Sequence, residues 1–262
     1  MQAFETLTVE TIGPVASVTL NRPAERNAMS ARMVEELLRC FVALRDDPVH
    51  NDVRVVVLRA AGEVFCAGGD LRDLASGAAP NAERVAVGRL DELLRTVNEG
   101  PQVVVARVHG AALGGGLGLI CVSDIAIAGA RASLGLPEVR LGLAPAIIAP
   151  YVIARVGLTR ARQLMLTGRR CSAAEAVQFG LIHHWCPDDE LDTAIDATVR
   201  EILACAPQAL RECKRLLFKV AAGGETLDYR IDLLNRLRAS DEAREGMQAF
   251  LTKQPAPWVP QP

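Results

Sequence analysis

At 262 residues, half of them hydrophobic, the chain is long enough to bury a large core as one domain, or as one domain with a C-terminal extension. A formal charge of -2 and a pI near 6.1 give no general attraction to nucleic-acid phosphates or anionic membranes. An RNA-binding role would therefore need a basic patch assembled only in three dimensions.

The chain opens on "ETLTVETIGPVASVTLNRP", two β-branched runs around Gly13-Pro14, which predicts a hairpin. Ser30 then caps a helix running to about Asp46, with Met33, Leu37, Leu38, Phe41 and Leu44 on one face. "VRVVVLRA" is a buried strand, followed by the glycine loop "AAGEVFCAGGDL". A polar, alanine-rich segment from Ala75 to about Ala82 leads into a helix ending near Gly100-Pro101. The order then recurs: "QVVVARVHG" is a strand, "AALGGG" a loop, "GLGLICVS" a helix and "DIAIAG" a further strand. The theme is strand, strand, helix at irregular length, without the strict period of a solenoid.

From Pro145 onward the chain reads as almost wholly helical. "CSAAEAVQFGLI" is capped by Ser172 and closed at Gly180, and amphipathic helices follow over 191–204, 207–220, 226–237 and 240–252. The division expected is a mixed core over residues 1–195 and a helical C-terminal region over 196–262.

No secretory leader is recognisable in residues 1–11, and the most apolar stretch, 141–156, is broken by Pro145 and Pro150; a cytoplasmic protein without a membrane span is expected. The seven cysteines, at 40, 66, 121, 171, 186, 205 and 213, form no C-x-x-C pair and fit reduced, buried small hydrophobes.

Three glycines at a helix start, Gly114, Gly115 and Gly116, are costly unless their lack of a side chain is used. In "CAGGDL" and "LGGGLGL" the amides of Gly69 and Gly115 are free to point at one developing negative charge, and a helix N-terminus adds a partial positive charge. "GGGLG" lacks the Lys-Ser/Thr of a P-loop, and no dinucleotide fingerprint is completed. Close helix packing explains the same glycines, and the residues alone leave both readings open.

"LNRPAERNAMS", "VFCAGGDL", "VHGAALGGGLGLICVSDIAIA", "LGLPEVRLGLAP", "LTGRRCSAAEAVQFGLI" and "EGMQAFLTK", in that order, resemble the crotonase superfamily of enoyl-CoA hydratases and isomerases over nearly the whole chain. The resemblance implies an α/β spiral of strand-strand-helix units with a helical C-terminal trimerisation region. It also implies an acyl-CoA thioester substrate, CoA being part of that substrate with no separate cofactor and no metal, and assembly as a homotrimer or homohexamer. The Gly69 and Gly115 amides would form an oxyanion hole for the thioester oxygen, a donor arrangement typically worth about 3 kcal/mol per amide in barrier. Glu138 would be the acid-base group. Ala67, Gly68, Asp70, Leu71, Arg72, Gly114, Gly118, Pro137 and Tyr151 would be substrate-binding residues. Phe250 and Lys253 would hold the adenine and phosphates of CoA.

Each assignment has a plainer counterpart. Glu138 is a surface charge, Asp70 a helix cap, Arg72 part of a solvated helix face, Tyr151 a core residue with its hydroxyl tied to backbone, Phe250 an apolar anchor and Lys253 a helix-dipole partner. Asp73 follows Asp70 toward the acyl pocket. His109 reads as structural, and His183 and His184 match no metal signature and read as surface or interface residues.

The chain departs from the two-glutamate hydratases of that family at Gly118, where the other catalytic glutamate would lie. Three readings follow: a hydratase working with one glutamate, a Δ3,Δ2-enoyl-CoA isomerase needing a single base, or a non-catalytic acyl-CoA-binding or RNA-binding relative. "EVRLGLAPAIIAPYV" resembles the bacterial 3-methylglutaconyl-CoA and isohexenylglutaconyl-CoA hydratases, which favours hydration of a branched or carboxylated enoyl-CoA.

Overall fold

The β-branched runs flanking Gly13-Pro14 form the antiparallel hairpin expected of them, β1 (Leu7–Ile12) and β2 (Val15–Leu20), with Leu7 opposite Leu20. In this computed structural model, which describes residues 4–75 and 80–259, the hairpin starts a six-stranded sheet. β3 (Val55–Ala60), β4 (Val103–Val108), β6 (Ile125–Gly129) and β9 (His184–Cys186) join it in the order β1-β2-β3-β4-β6-β9, parallel from β2 onward. Val55 to Leu58 and Val103 to Ala106 are buried without alternation, as strands covered on both faces must be. α1 (Ala31–Asp46) starts where the Ser30 hydroxyl oxygen accepts the Met33 amide at 3.3 Å, and buries Met33, Leu37, Leu38, Phe41 and Leu44.

A second, small sheet is built from β5 (Ala111–Leu113), β7 (Ser133–Gly135) and β8 (Arg170–Ser172). β5 and β7 are parallel with Ala112 beside Leu134, and a single parallel bridge places Cys66 beside Ala112 on the other edge. Three successive turns of chain thus run from the large sheet to the small one and then into a helix or turn. α2 (Leu71–Ala75) and α3 (Pro80–Glu99) follow Cys66, and α4 (Gly115–Val122) follows β5. A 3-10 turn (Pro137–Leu141) and α5 (Ala149–Thr167) follow β7.

The short strands correct the sequence reading. β5 occupies part of "AALGGG", expected as loop, and β7 was not anticipated. β8 and β9 interrupt the region after Pro145 that reads as almost wholly helical. Each spans three residues, too few to show a period of two, and owes its conformation to ladder partners far along the chain. α5 breaks at Gly157, whose φ of 72° is non-helical. Part of the expected 75–82 segment, residues 76–79, lies outside the described residues.

The C-terminal helices begin where side-chain chemistry predicts. α6 (Ala173–Phe179) has a reciprocal capping box between Ser172 and Glu175 and stops at left-handed Gly180. α7 (Leu191–Leu203) and α8 (Pro207–Ala221) follow; α9 (Leu227–Arg238) and α10 (Asp241–Thr252) are capped by Thr226 and Ser240. Cys40, Cys66, Cys121, Cys171 and Cys186 are buried as expected, whereas Cys205 and Cys213 are exposed.

The chain separates into two units, Met1–Asp196 and Ala197–Pro262. Within the second, the Glu242 carboxylate accepts the Gln208 and Ala209 amides at 2.8 and 2.9 Å, closing the N-terminus of α8. Glu212 on α8 pairs with Arg215 at 2.8 Å and with Arg236 on α9 at 2.9 Å. Trp258 donates its indole N–H to the Ala204 carbonyl at 3.0 Å. Among the described residues no helix is long and apolar enough to cross a membrane.

Candidate active site

The small sheet brings three separated stretches of sequence to one level. Cys66, Ala112 and Leu134 are ladder neighbours. Three residues beyond the first two stand Gly69 and Gly115, and just past the equivalent point on the third turn stands Glu138. Side chains are excluded where the first two turns approach each other. Gly68 has φ of 100°, and a Cβ there would lie 3.1 Å from the Leu113 carbonyl oxygen. Gly114, with φ 51° and ψ -121°, adopts a conformation open to glycine alone and ties its amide to Gly135 at 3.0 Å.

Gly115 is the first residue of α4, so its amide is one of the four a helix leaves unpaired. A Cβ built on it would stand 4.0 Å from the Gly69 nitrogen. Neither the Gly69 nor the Gly115 amide donates a hydrogen bond among the described residues. The two sit side by side at the positive end of a helix, a ready site for an oxyanion.

Glu138 enters from the third turn. Pro137 starts the 3-10 turn, and the Glu138 carbonyl accepts the Leu143 amide at 3.0 Å. Its Oε1 would be 2.8 Å from a Cβ on Gly114, so the carboxylate rests against that glycine's backbone. Its Oε2 is buried without a partner, and no cation pairs with it among the described residues. Burial pushes the carboxyl above its ordinary value, opposed only in part by its own backbone N–H. A carboxyl partly withdrawn from water and left unneutralised keeps its proton to higher pH than a solvated one, as an acid-base group needs.

The remaining residues singled out in the sequence take varied places. Ala67 donates its amide to the Arg26 carbonyl at 3.1 Å. Asp70 is buried and engaged: Oδ1 accepts the Arg72 amide at 3.1 Å as a turn cap, and Oδ2 meets Arg22 at 3.2 Å. Asp73 accepts the Ala31 amide at 2.9 Å, at the start of α1. Leu71 and Arg72 are exposed. Gly118 is buried on α4; a Cβ there would meet Ile148 Cγ2 at 2.6 Å and Leu94 Cδ2 at 3.8 Å, so apolar side chains hold the space where a second carboxylate would begin.

Tyr151 is half-buried, and burial, then the charges of Asp91 and Glu99 on α3, raise its pKa. His109 donates Nε2–H to the Gly62 carbonyl at 2.8 Å and is held below its ordinary pKa by burial. His183 accepts the Ala126 amide on Nδ1 at 3.0 Å, and His184 is exposed. In the second unit, Phe250 is 84% exposed on α10, and Lys253 closes that helix in the left-handed region with φ 55°.

Sequence reasoning missed the buttress behind the first glycine loop. Arg26 and Asn27 carry φ of 54° and 53°, uncommon for side-chain-bearing residues. The fully buried Asn27 side chain holds them there, accepting the Arg22 amide and donating to the Ala61 and Val64 carbonyls, each at 2.8 Å. Arg22 adds a bond to the Ala28 carbonyl at 2.7 Å. The available signal was the polar run "NRPAERN" wedged between an apolar strand and an apolar helix.

Comparison with known proteins identifies the family and the fold. The model for the family "Enoyl-CoA hydratase/isomerase" matches residues 10–261. The structure of Pseudomonas aeruginosa AtuE is 43% identical, covering 98% of this chain and 100% of that one with a TM-score of 0.92. An enoyl-CoA hydratase/isomerase from Marinobacter aquaeolei is 39% identical over 98% and 100% of the two chains, TM-score 0.90. Enoyl-CoA hydratase EchA19 of Mycobacterium tuberculosis is 33% identical over 253 residues, 94% of this chain and 93% of that protein.

Proposed function

The chain belongs to the enoyl-CoA hydratase/isomerase family and has the crotonase fold, and from that premise we propose that it adds water reversibly across a 2-enoyl-CoA with one glutamate and two backbone amides. The observation that carries this reading is the lone Glu138, half-buried, unpaired on its buried Oε2 and raised in pKa, at the same level as the free Gly69 and Gly115 amides.

The thioester oxygen sits between the two amides. Ionised Glu138 takes a proton from water as the water oxygen bonds to C3, and the C2=C3 electron pair moves into the thioester to give an enolate. The amides stabilise that oxyanion, each contributing about 3 kcal/mol. The Glu138 carboxylic acid then returns its proton to C2, so one water is added and the carboxylate is regenerated. Both new bonds form on the face that Glu138 occupies. The scheme uses no metal and no cofactor besides the CoA of the substrate.

The substrate proposed is a branched, carboxylated enoyl-CoA of the 3-methylglutaconyl type. The resemblance of residues 138–152 to hydratases of that class supports it. The assembly proposed is a homotrimer or homohexamer. Within the second unit, Leu217, Leu227, Leu234, Phe250 and Leu251 are each more than half exposed, an amount of open apolar surface that favours covering by further copies. Sedimentation equilibrium at micromolar concentration tests this; a monomer would refute it.

A second reading has its own observation. Because Ile148 and Leu94 hold the space beyond Gly118, a second carboxylate has no place, and a double-bond shift from 3-enoyl-CoA to 2-enoyl-CoA needs only one base. The deciding experiment follows loss of the enoyl-thioester absorbance with crotonyl-CoA and 3-methylglutaconyl-CoA, with Glu138→Gln as control. Loss with the wild type alone supports one-glutamate hydration, and the faster substrate identifies the branch. No loss with either, together with equilibration of 3-enoyl-CoA, makes the chain an isomerase.

A further inference from the structure

Resting on the oxyanion-hole reading, we propose that Met29 is the positioning residue that sets the separation between the Gly69 and Gly115 amides. Its backbone and its side chain act on different halves of the hole. The Met29 amide donates to the Gly68 carbonyl at 2.8 Å and its carbonyl accepts the Asp70 amide at 3.1 Å, so Met29 pairs with Gly69 as a one-residue parallel ladder. This leaves the Gly69 N–H pointing away from the ladder and fixes its direction.

The Met29 side chain, 6% exposed, extends to the start of α4, where its terminal methyl packs against the Gly115 backbone in the space a Cβ on Gly115 would need. One residue thus holds the first donor through hydrogen bonds and stops the second donor's helix from moving toward it. Asn27 and the Arg22–Asp70 pair make Met29 a firm reference: they fix the left-handed turn before it and the loop beside it. Methionine suits the task because an unbranched thioether reaches across the gap without a second branch to collide with either loop.

The two sides of this contact are complementary, so they can be exchanged. The methyl added by Gly115→Ala collides with the Met29 methyl, while Met29→Ala vacates the space which that added methyl needs. The test uses Met29→Ala, Met29→Leu, Gly115→Ala and the double variant Met29→Ala/Gly115→Ala, with thermal melts to confirm folding. The probe is a dimethylaminocinnamoyl thioester of CoA, whose absorption moves to the red when its carbonyl oxygen is polarised by hydrogen bonds.

Each single alanine variant is expected to lower kcat by roughly tenfold to a hundredfold, with KM within about twofold of the wild type and a smaller red shift. Met29→Leu should remain within about tenfold of wild-type kcat, being closest in volume. The double variant is expected to recover red shift and kcat above the less active single variant, because the cavity and the added methyl cancel. If the losses multiply in the double variant, or if Met29→Ala keeps the full red shift and kcat, the spacer role is refuted. A wild type that binds the probe without a red shift refutes instead the oxyanion hole on which this inference rests.

Discussion

Two glutamates removed from water meet opposite fates in this molecule. Glu36, on α1 with no exposed side-chain surface, accepts the Thr6 hydroxyl at 2.7 Å, the Thr6 amide at 2.8 Å and the Glu5 amide at 3.1 Å, and pairs with Arg32 at 2.7 Å. Burial alone would raise its pKa, but these donors overcome it and hold the group at about 2. Glu138 is buried in part with one oxygen unpartnered, and its pKa is raised. Burial is common to both; the supply of donors differs. Where every lone pair is met, a carboxylate is a structural anchor fastening the chain before β1 to α1. Where they are withheld, it is free to serve as the proton carrier proposed for Glu138, at a cost in stability.

The largest effect that separates the two is on activity. Glu138→Gln should lower kcat by roughly a hundredfold to ten-thousandfold, because it removes the proton carrier and leaves the hole intact. The same change should raise Tm. A group whose pKa is higher folded than unfolded binds its proton more tightly when folded, so ionised Glu138 costs stability at neutral pH, and glutamine abolishes that cost. Calorimetry at pH 7 checks the sign; a lower Tm would mean that Glu138 is an anchor after all.

Gly114→Ala should come next. It forces an alanine into a glycine-only conformation, costing about 1–3 kcal/mol, and crowds Oε1 of Glu138, with kcat falling by roughly a hundredfold. Glu36→Gln should do the reverse of Glu138→Gln, losing about 3 kcal/mol of stability in urea unfolding while kcat of the folded enzyme is retained. Because the folded pKa of Glu36 is depressed, its contribution is complete above the ordinary carboxylate range and is lost as pH falls toward 2. The acid unfolding of wild type and Glu36→Gln should therefore converge there.

The smallest effect is a displacement along the pH axis. The proposed hydration requires ionised Glu138, so the acid limb of kcat/KM should lie above the ordinary glutamate value of 4.5. A limb at or below it would indicate that the carboxyl is solvated in the free enzyme.

What was legible in the sequence depended on how local its cause was. Ser30, Ser172, Thr226 and Ser240 each bond to an amide three residues on, so helix starts could be read from the residues themselves. The glycines of both loops announced a close approach, and the "LPEVRLG" segment pointed to Glu138. β5, β7, β8 and β9 were hidden because three residues carry no periodicity. Met29 was hidden for another reason: a methionine before a helix cap looks like core, and only its contacts some forty and eighty-six positions away distinguish it. Ile148 over Gly118 is of the same kind, since its meaning lies in what it denies to a glycine thirty positions earlier.

The ladder through Cys66, Ala112 and Leu134 also gives the protein a ruler. Neighbouring strands are held about 4.8 Å apart by backbone hydrogen bonds, whatever their side chains. The two proposed donors and the proposed proton carrier are each mounted just beyond one rung. The spacing of the three turns that carry Gly69, Gly115 and Glu138 is therefore set in rungs, and on the reading above Met29 adjusts the two amides within it. Side chains around that frame can differ while the strand spacing on which the proposed donors and carboxylate are mounted stays the same.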